Sequence, residues 1–307
     1  YHKKSKPVAS LLDFSLFVTF FPHLVAGPIV RPPQLVPQFE SPRTASWRQL
    51  FDGLLLLTVG LFMKVILADG MLADAADKVF GAPGMVASLD AWAGVFAFSG
   101  QIFFDFAGYS TCAVGAALCL GFILPQNFNA PYAAIGFSDF WRRWHITLSA
   151  WLRDYLYIPL GGNRYGPVRT YFALMVTMLL GGLWHGANWT FVVWGGLHGL
   201  YLWVERFFRE RRGGAVADTG SSWLGVAYAL FTYMLVNIAW VFFRSGTFNK
   251  AWHFGFGVGR YDPAVGVGAR QRELVYLFSV LREEFAGINY SGFNCLPKRY
   301  TTVATGA

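Results

Sequence analysis

Between Thr170 and Val204 the chain runs for thirty-five residues without one Asp, Glu, Lys or Arg. A segment of that composition has no face to offer water, so it belongs in a large protein core or in a bilayer. As one straight helix it would measure about 52 Å, against a hydrocarbon layer of about 30 Å. It is too long for a single crossing. The Gly181-Gly182 and Gly195-Gly196 pairs are natural places to break it. The run therefore reads as two helices or one broken helix, with His185 and Asn188 near the break. Irregular backbone at membrane depth survives only where protein or a water-filled cavity surrounds it, so the break implies a cavity close to His185.

The rest of the chain decides between core and bilayer. Charged residues make up 14% of the 307 residues and hydrophobic ones 55%, whereas a soluble domain carries about 25% charged residues. Leu50 to Ala68 reads as a span, with Lys64 near one end, where its stem can snorkel to the interface. Ala91 to Ser138 holds a single charge, Asp105, and its helix is expected to end near Leu124, before Pro125. Ser221 to Phe243 is uncharged and is the cleanest single span. The fold class is all-α, a polytopic integral membrane protein, with one membrane-embedded domain over residues 1–307.

Two segments fit a crossing less well. Phe14 to Val30 is apolar but broken by Pro22, Gly27 and Pro28, and Arg31-Pro32-Pro33 is expected to stop any helix. It reads as a re-entrant or in-plane piece. Ser138 to Tyr157 mixes aromatics and Leu with Arg142, Arg143, Arg153 and Asp154, as in a helix lying at the bilayer surface. Ser138 is its expected N-cap, with Asp139 in the first turn, and Pro159 and Gly161-Gly162 end it. The chain opens at Tyr1 without Met and without a signal peptide, and turns polar and patternless from about Arg282. A fragment lacking leading helices, with an atypical tail, is the expectation.

The net charge of +8 would raise nucleic acid as a partner in a soluble protein. Here the basic residues lie beside apolar segments, the pattern of cytoplasmic membrane flanks, so the partner is the bilayer and no nucleic acid is expected. Cys112, Cys119 and Cys295 show no paired spacing, so neither a disulfide framework nor a zinc site is expected.

Polar groups inside a bilayer are costly and tend to be functional. The candidates are Asp105, His145, His185, Asn188 and His198, with His23 in the broken first segment. His185 and His198 stand thirteen positions apart, about 140° apart on one continuous helix, so they would not share a metal. No GxSxG and no Cys beside a His is present, so a covalent nucleophile has no support. What remains is a lone imidazole as general base, taking a proton from a hydroxyl that attacks an acyl thioester. His198 lies seven residues before Glu205 on one helical face, placed for a structural hydrogen bond. Asp105 is expected to pair with a buried base or a backbone group. Arg142, Arg143 and Arg153 suit headgroups or an anionic donor.

Five stretches resemble the membrane-bound O-acyltransferase family, MBOAT, most of all its bacterial alginate O-acetyltransferase branch. They are FFPHLVAGPIVRP (Phe20 to Pro32), FFDFAGYS (Phe103 to Ser110), PQNFNAPY (Pro125 to Tyr132), DFWRRWHITLSAWLRDYLYIPLGGNR (Asp139 to Arg164) and LLGGLWHGANWTF (Leu179 to Phe191). The resemblance implies a helical bundle, with in-plane or re-entrant helices, around a tunnel where a cytoplasmic acyl donor and an extracytoplasmic acceptor meet at a histidine. His185 matches that catalytic histidine and His145 the second family histidine. Asn188, Trp184, Asp105, Arg142, Arg143 and Trp144 become candidates for lining the substrate path. The resemblance further implies a thioester donor, acetyl-CoA or another acyl carrier, rather than a tightly bound cofactor, and no metal. An extracytoplasmic transfer partner, a polysaccharide acceptor and the bacterial inner membrane complete the expectation. The alternatives are D-alanyl transfer toward teichoic acid, a transporter or proton channel with a His/Asp relay, and a structural subunit of an export complex.

Overall fold

The computed structural model describes residues 10–24, 26–82, 86–211 and 223–256, and among these every regular element is helical. The sequence tail from Arg282 and Cys295 lie outside the described residues.

Helix α1, Leu11–Thr19, is capped by the Ser10 hydroxyl, which accepts from the amides of Leu12 and Asp13. Nine residues make a helix of about 14 Å, too short to cross a bilayer. After a single 3-10 turn, Phe21–His23, the chain enters α2, Pro32–Phe39. The Arg31-Pro32-Pro33 triplet thus starts a helix instead of stopping one. Proline in the first turn forfeits only N–H groups that would lack a helical partner anyway. Arg31 closes the cap, its amide donating to Gln34 Oε1 at 2.9 Å.

The first long rod is α3, Trp47–Leu61, continued by a π-helical stretch, Phe62–Leu72, into α4, Ala73–Gly81. It is thirty-five residues long, so Lys64 stands at its middle and not at an end. Snorkelling is replaced by ion pairing: Lys64 Nζ lies 2.6 Å from Asp105 and 2.9 Å from Asp69. Asp105 comes from α5, Ser88–Cys119, which runs antiparallel to the rod. Small residues bring the two together. A Cβ at Gly60 would lie 2.6 Å from the Gly108 carbonyl oxygen, and one at Gly115 2.7 Å from that of Gly53. Close approach of helix backbones through glycine is how apolar helices associate where lipid offers no hydrophobic drive. Cys112 and Cys119 are free thiols in this seam, facing the Leu57 and Leu50 carbonyls at 3.6 and 3.8 Å.

The uncharged run forms two helices, α8, Gly166–His185, and α9, Trp189–Arg211. The break falls at residues 186–188 and not at either glycine pair. α10, Trp223–Arg244, and α11, Phe248–Phe256, follow. The α3–α4 rod, α5, α8 and α10 are each long and apolar enough to cross a membrane. Between α5 and α8 lie two short helices, α6, Phe137–Arg143, and α7, Ile146–Leu152. The core joins α5, α6, α9 and α10 through Phe98, Phe140, Trp194 and Trp240.

Candidate active site

The expected surface helix over Ser138 to Tyr157 is interrupted. Trp144 and His145 separate α6 from α7, and a π-helical turn, Arg153–Tyr157, ends the stretch. His145 adopts φ 42° and ψ 55°, the left-handed region, which costs an L-residue about 1–2 kcal/mol. Among the described non-glycine residues only Ala130 shares a positive φ. The non-helical segment 126–130 braces this kink: Asn129 N–H donates to the Arg143 carbonyl and Ile146 N–H to the Asn127 carbonyl, both at 2.9 Å. The Asn127 side-chain oxygen accepts from the Thr147 amide at 3.2 Å and the Thr147 hydroxyl at 2.9 Å, and faces His145 Nδ1 at 3.2 Å. Thr147 Oγ1 accepts from Ile29 N–H at 2.9 Å. Arg31 reaches Asp154 at 2.7 Å. These two contacts seat the chain before α2 on α7 and on the π-helical turn that follows it. Hydrogen bonds from Arg153 first, then from Arg31, hold the Asp154 carboxyl below the usual carboxylate range.

Ser138 is not the N-cap of α6. The cap is Gly136 at φ 90°, and the first-turn amides of Phe137 and Ser138 donate to Glu205, a residue of α9. A carboxylate is favoured at a helix N-terminus by the dipole as well as by the bonds. Glu205 is therefore not the partner of His198. Among the described residues neither ring nitrogen of His198 has a hydrogen-bond partner, and its ring is enclosed by Phe140, Trp141, Trp194 and Tyr201. His198 and His185 also lie on different helices.

His185 is the last residue of α8, so the break itself presents its side chain. Three aromatic rings surround it, Trp184 at 5.0 Å, Trp194 at 5.1 Å and Phe243 at 5.0 Å between centroids. No hydrogen bond to its ring occurs among the described residues. Trp184 also meets His145, with centroids 6.5 Å apart, so one indole touches both imidazoles. Asn188 shapes the break: its Oδ1 caps α9 at the Thr190 amide, 3.1 Å away, and its Nδ2 donates to the Gly246 carbonyl at 3.0 Å.

His145 is buried, and burial pushes its pKa down to about 3, with the nearby His185 adding to the effect. It is a neutral imidazole across the physiological range. Phe106, the neighbour of Asp105 in sequence, meets the His145 ring edge to face at 4.6 Å.

The structure thus brings His145, Trp184 and His185 together, with Asn188 at the same break. Trp144 packs instead in the aromatic core against Phe128, Phe140 and Trp240. Asp105 is committed to Lys64. Arg143 is tied to Asp139 at 2.8 Å, while Arg142 is exposed. No group of three His, Cys, Asp or Glu side chains suited to a metal occurs among the described residues. Sequence reasoning missed Asn127 and Glu205. Asn127 had one signal, an amide side chain between apolar residues in PQNFNAPY. Glu205 had none, because its target is distant in sequence.

An imidazole at a helix break, walled by aromatics, is a group that can take and return a proton. The chain is similar to several known acyltransferases. A probable alginate O-acetylase of Azotobacter vinelandii is 44% identical over 262 residues, covering 84% of this chain and 50% of the relative. A peptidoglycan O-acetyltransferase of Helicobacter pylori is 42% identical over 246 residues, covering 80% and 46%. A teichoic acid D-alanyltransferase of Streptococcus thermophilus is 26% identical over 264 residues, covering 79% and 63%. The chain spans about half the length of the O-acetylating relatives it matches. The model of MBOAT, the membrane-bound O-acyltransferase family, matches residues 3–252, which hold both histidines and the helices that position them, and the chain belongs to that family.

Proposed function

We propose that the protein is the membrane subunit of an envelope-polysaccharide O-acetylation system in the bacterial inner membrane. It takes an acetyl group from a cytoplasmic thioester, acetyl-CoA or an acyl carrier, toward polysaccharide hydroxyls, by way of an extracytoplasmic transfer partner. The observation that carries this reading is His185, an imidazole walled by aromatic rings at the break between two helices. The neutral nitrogen of His185 takes the proton of the attacking hydroxyl as its oxygen adds to the thioester carbonyl. The carbon–sulfur bond then breaks, and the departing thiolate recovers that proton from the imidazolium. A narrow aromatic site suits the step because it keeps water from the donor.

His145 lies beside this site as a neutral acceptor of a hydrogen bond or proton. Trp184 and Asn188 line and shape the path, and Arg142 and Arg143 stand on the flank that meets an anionic donor. The higher identity to O-acetylating relatives, 42–44% against 26% for the D-alanyltransferase, favours acetyl over D-alanyl as the group moved. Alginate and peptidoglycan are the polymers named for those relatives, and the acceptor proposed here is a polysaccharide hydroxyl of that general kind. A His/Asp relay for transport is disfavoured because Asp105 is engaged by Lys64.

The test follows labelled acetyl into extracellular polysaccharide for wild type and His185→Ala at matched membrane abundance. Loss of label with the protein retained is the expected result. Undiminished label would remove His185 from the chemistry.

A further inference from the structure

The side-chain oxygen of Asn127 is the atom that faces His145 Nδ1. A backbone N–H can only donate, so the Asn127 atom that meets the Thr147 amide at 3.2 Å is the side-chain oxygen. The Thr147 hydroxyl accepts from Ile29 N–H, and its own proton goes to the same oxygen at 2.9 Å. His145 Nδ1 faces that oxygen at 3.2 Å. Opposite an acceptor, Nδ1 of a neutral imidazole carries the proton, and Nε2 keeps the lone pair.

We infer that Asn127 is a positioning residue for acyl transfer, its side-chain carbonyl holding His145 as the neutral Nδ1–H tautomer so that Nε2 is the basic nitrogen at the site. This rests on the proposed membership of His145 in that site. Asn127 is itself 2% exposed, and its backbone carbonyl accepts from Ile146 N–H, the residue after His145. Both oxygens of one residue therefore hold the left-handed kink. The amide is also chemically selective. A carboxylate at this position would accept the same bond, but its charge would favour the imidazolium and remove the lone pair.

The experiment has two readouts on the complete protein in membranes. Solution or solid-state NMR on protein with isotopically labelled histidine reports the tautomer, with the His145 signal assigned by its loss in His145→Asn. Acetyl incorporation is measured against pH for wild type, Asn127→Asp and Asn127→Leu at matched abundance. The expected results are an Nδ1–H tautomer in wild type and a loss of about ten-fold or more for Asn127→Leu, the usual scale for groups that orient a catalytic imidazole. Asn127→Asp is expected to move the acid limb of the profile upward by about one pH unit or more, since an adjacent carboxylate raises an imidazole pKa by that scale. In the His145→Asn background, Asn127→Asp is expected to add no further shift.

An Nε2–H tautomer in wild type overturns the inference. So does an Asn127→Asp profile that stays in place at full abundance. A wild-type rate in His145→Asn overturns it by a different route, through the site assignment, and the tautomer signal tells the two failures apart. The tautomer and the Asn127→Asp profile keep the test open if Asn127→Leu fails to fold.

Discussion

Gly182 of α8 and Gly195 of α9 lie back to back, and a Cβ on either would sit 3.3 Å from the Cα of the other. The contact closes the helical hairpin whose turn carries His185. A Cβ at Gly195 would also collide with the Met178 carbonyl, while one at Gly196 would find only Leu179 Cδ2 at 3.6 Å. Gly195→Ala is therefore expected to cost about 1–3 kcal/mol, the range for forcing atoms into a packed interface. Gly196→Ala is expected to stay within about 0.5 kcal/mol of wild type. Thermal unfolding of the two variants in detergent makes the comparison, and equal losses would show that the seam does not depend on Gly195.

Lys64 and Asp105 meet at the middle of two apolar helices. Replacing Lys64 leaves Asp105 and Asp69 without their cation, and an unpaired charge on a membrane segment costs about 2.5–3.5 kcal/mol at a helix centre. Lys64→Met is expected to lower membrane abundance more than Asp105→Leu, which leaves Lys64 paired with Asp69, and the double variant to recover part of the Lys64→Met loss. Quantitative immunoblotting of membranes decides this, and a double variant no better than Lys64→Met would remove the pair from the stability account.

Glu205 caps α6 from another helix. Glu205→Ala is expected to destabilise by about 1–2 kcal/mol, as removal of an N-cap does. Glu205→Gln keeps an acceptor and loses only the charge, so its cost is expected to be smaller, about 0.3–1 kcal/mol. Chemical denaturation of the purified variants orders them, and the reverse order would rule out capping as the role of this carboxylate.

The burial of His145 has a consequence for pH. Its pKa is about 3 in the fold and about 6.5 in the unfolded chain. Between those values the unfolded state binds the extra proton, so stability falls as pH falls below the unfolded value. At pH 5 the loss from this group is about 2 kcal/mol relative to neutral pH. His145→Asn, which tolerates the left-handed backbone, is expected to show a shallower decline. Unfolding measured at neutral and acid pH tests this, and parallel declines in the two proteins would contradict it.

Much of this architecture could be read from the chain. The thirty-five uncharged residues require two membrane-embedded pieces, because bilayer thickness is a fixed length and helical rise is another. The glycine pairs put a break within this run with His185 near it, and the scarcity of polar groups there makes His185 a candidate. Spacing and composition are local, and they also carried the family resemblance. The location of the break, the kink at His145 and the pairing of Lys64 were not local matters. Gly181-Gly182 and Gly195-Gly196 look like breakers along the sequence, yet in the fold Gly182 and Gly195 are contact surfaces, and residues 186–188 turn the chain. Ser138 has the side chain of a cap, but Glu205, distant in sequence, supplies a stronger one. Asn127 reaches His145 only because two backbone hydrogen bonds lay the 126–130 segment along the kink. Composition and helical rise, both local, establish which residues leave water and that the uncharged run cannot be one straight crossing. The tertiary structure decided which polar groups meet, because hydrogen bonds and ion pairs depend on ångström-scale approach between segments that sequence distance does not encode.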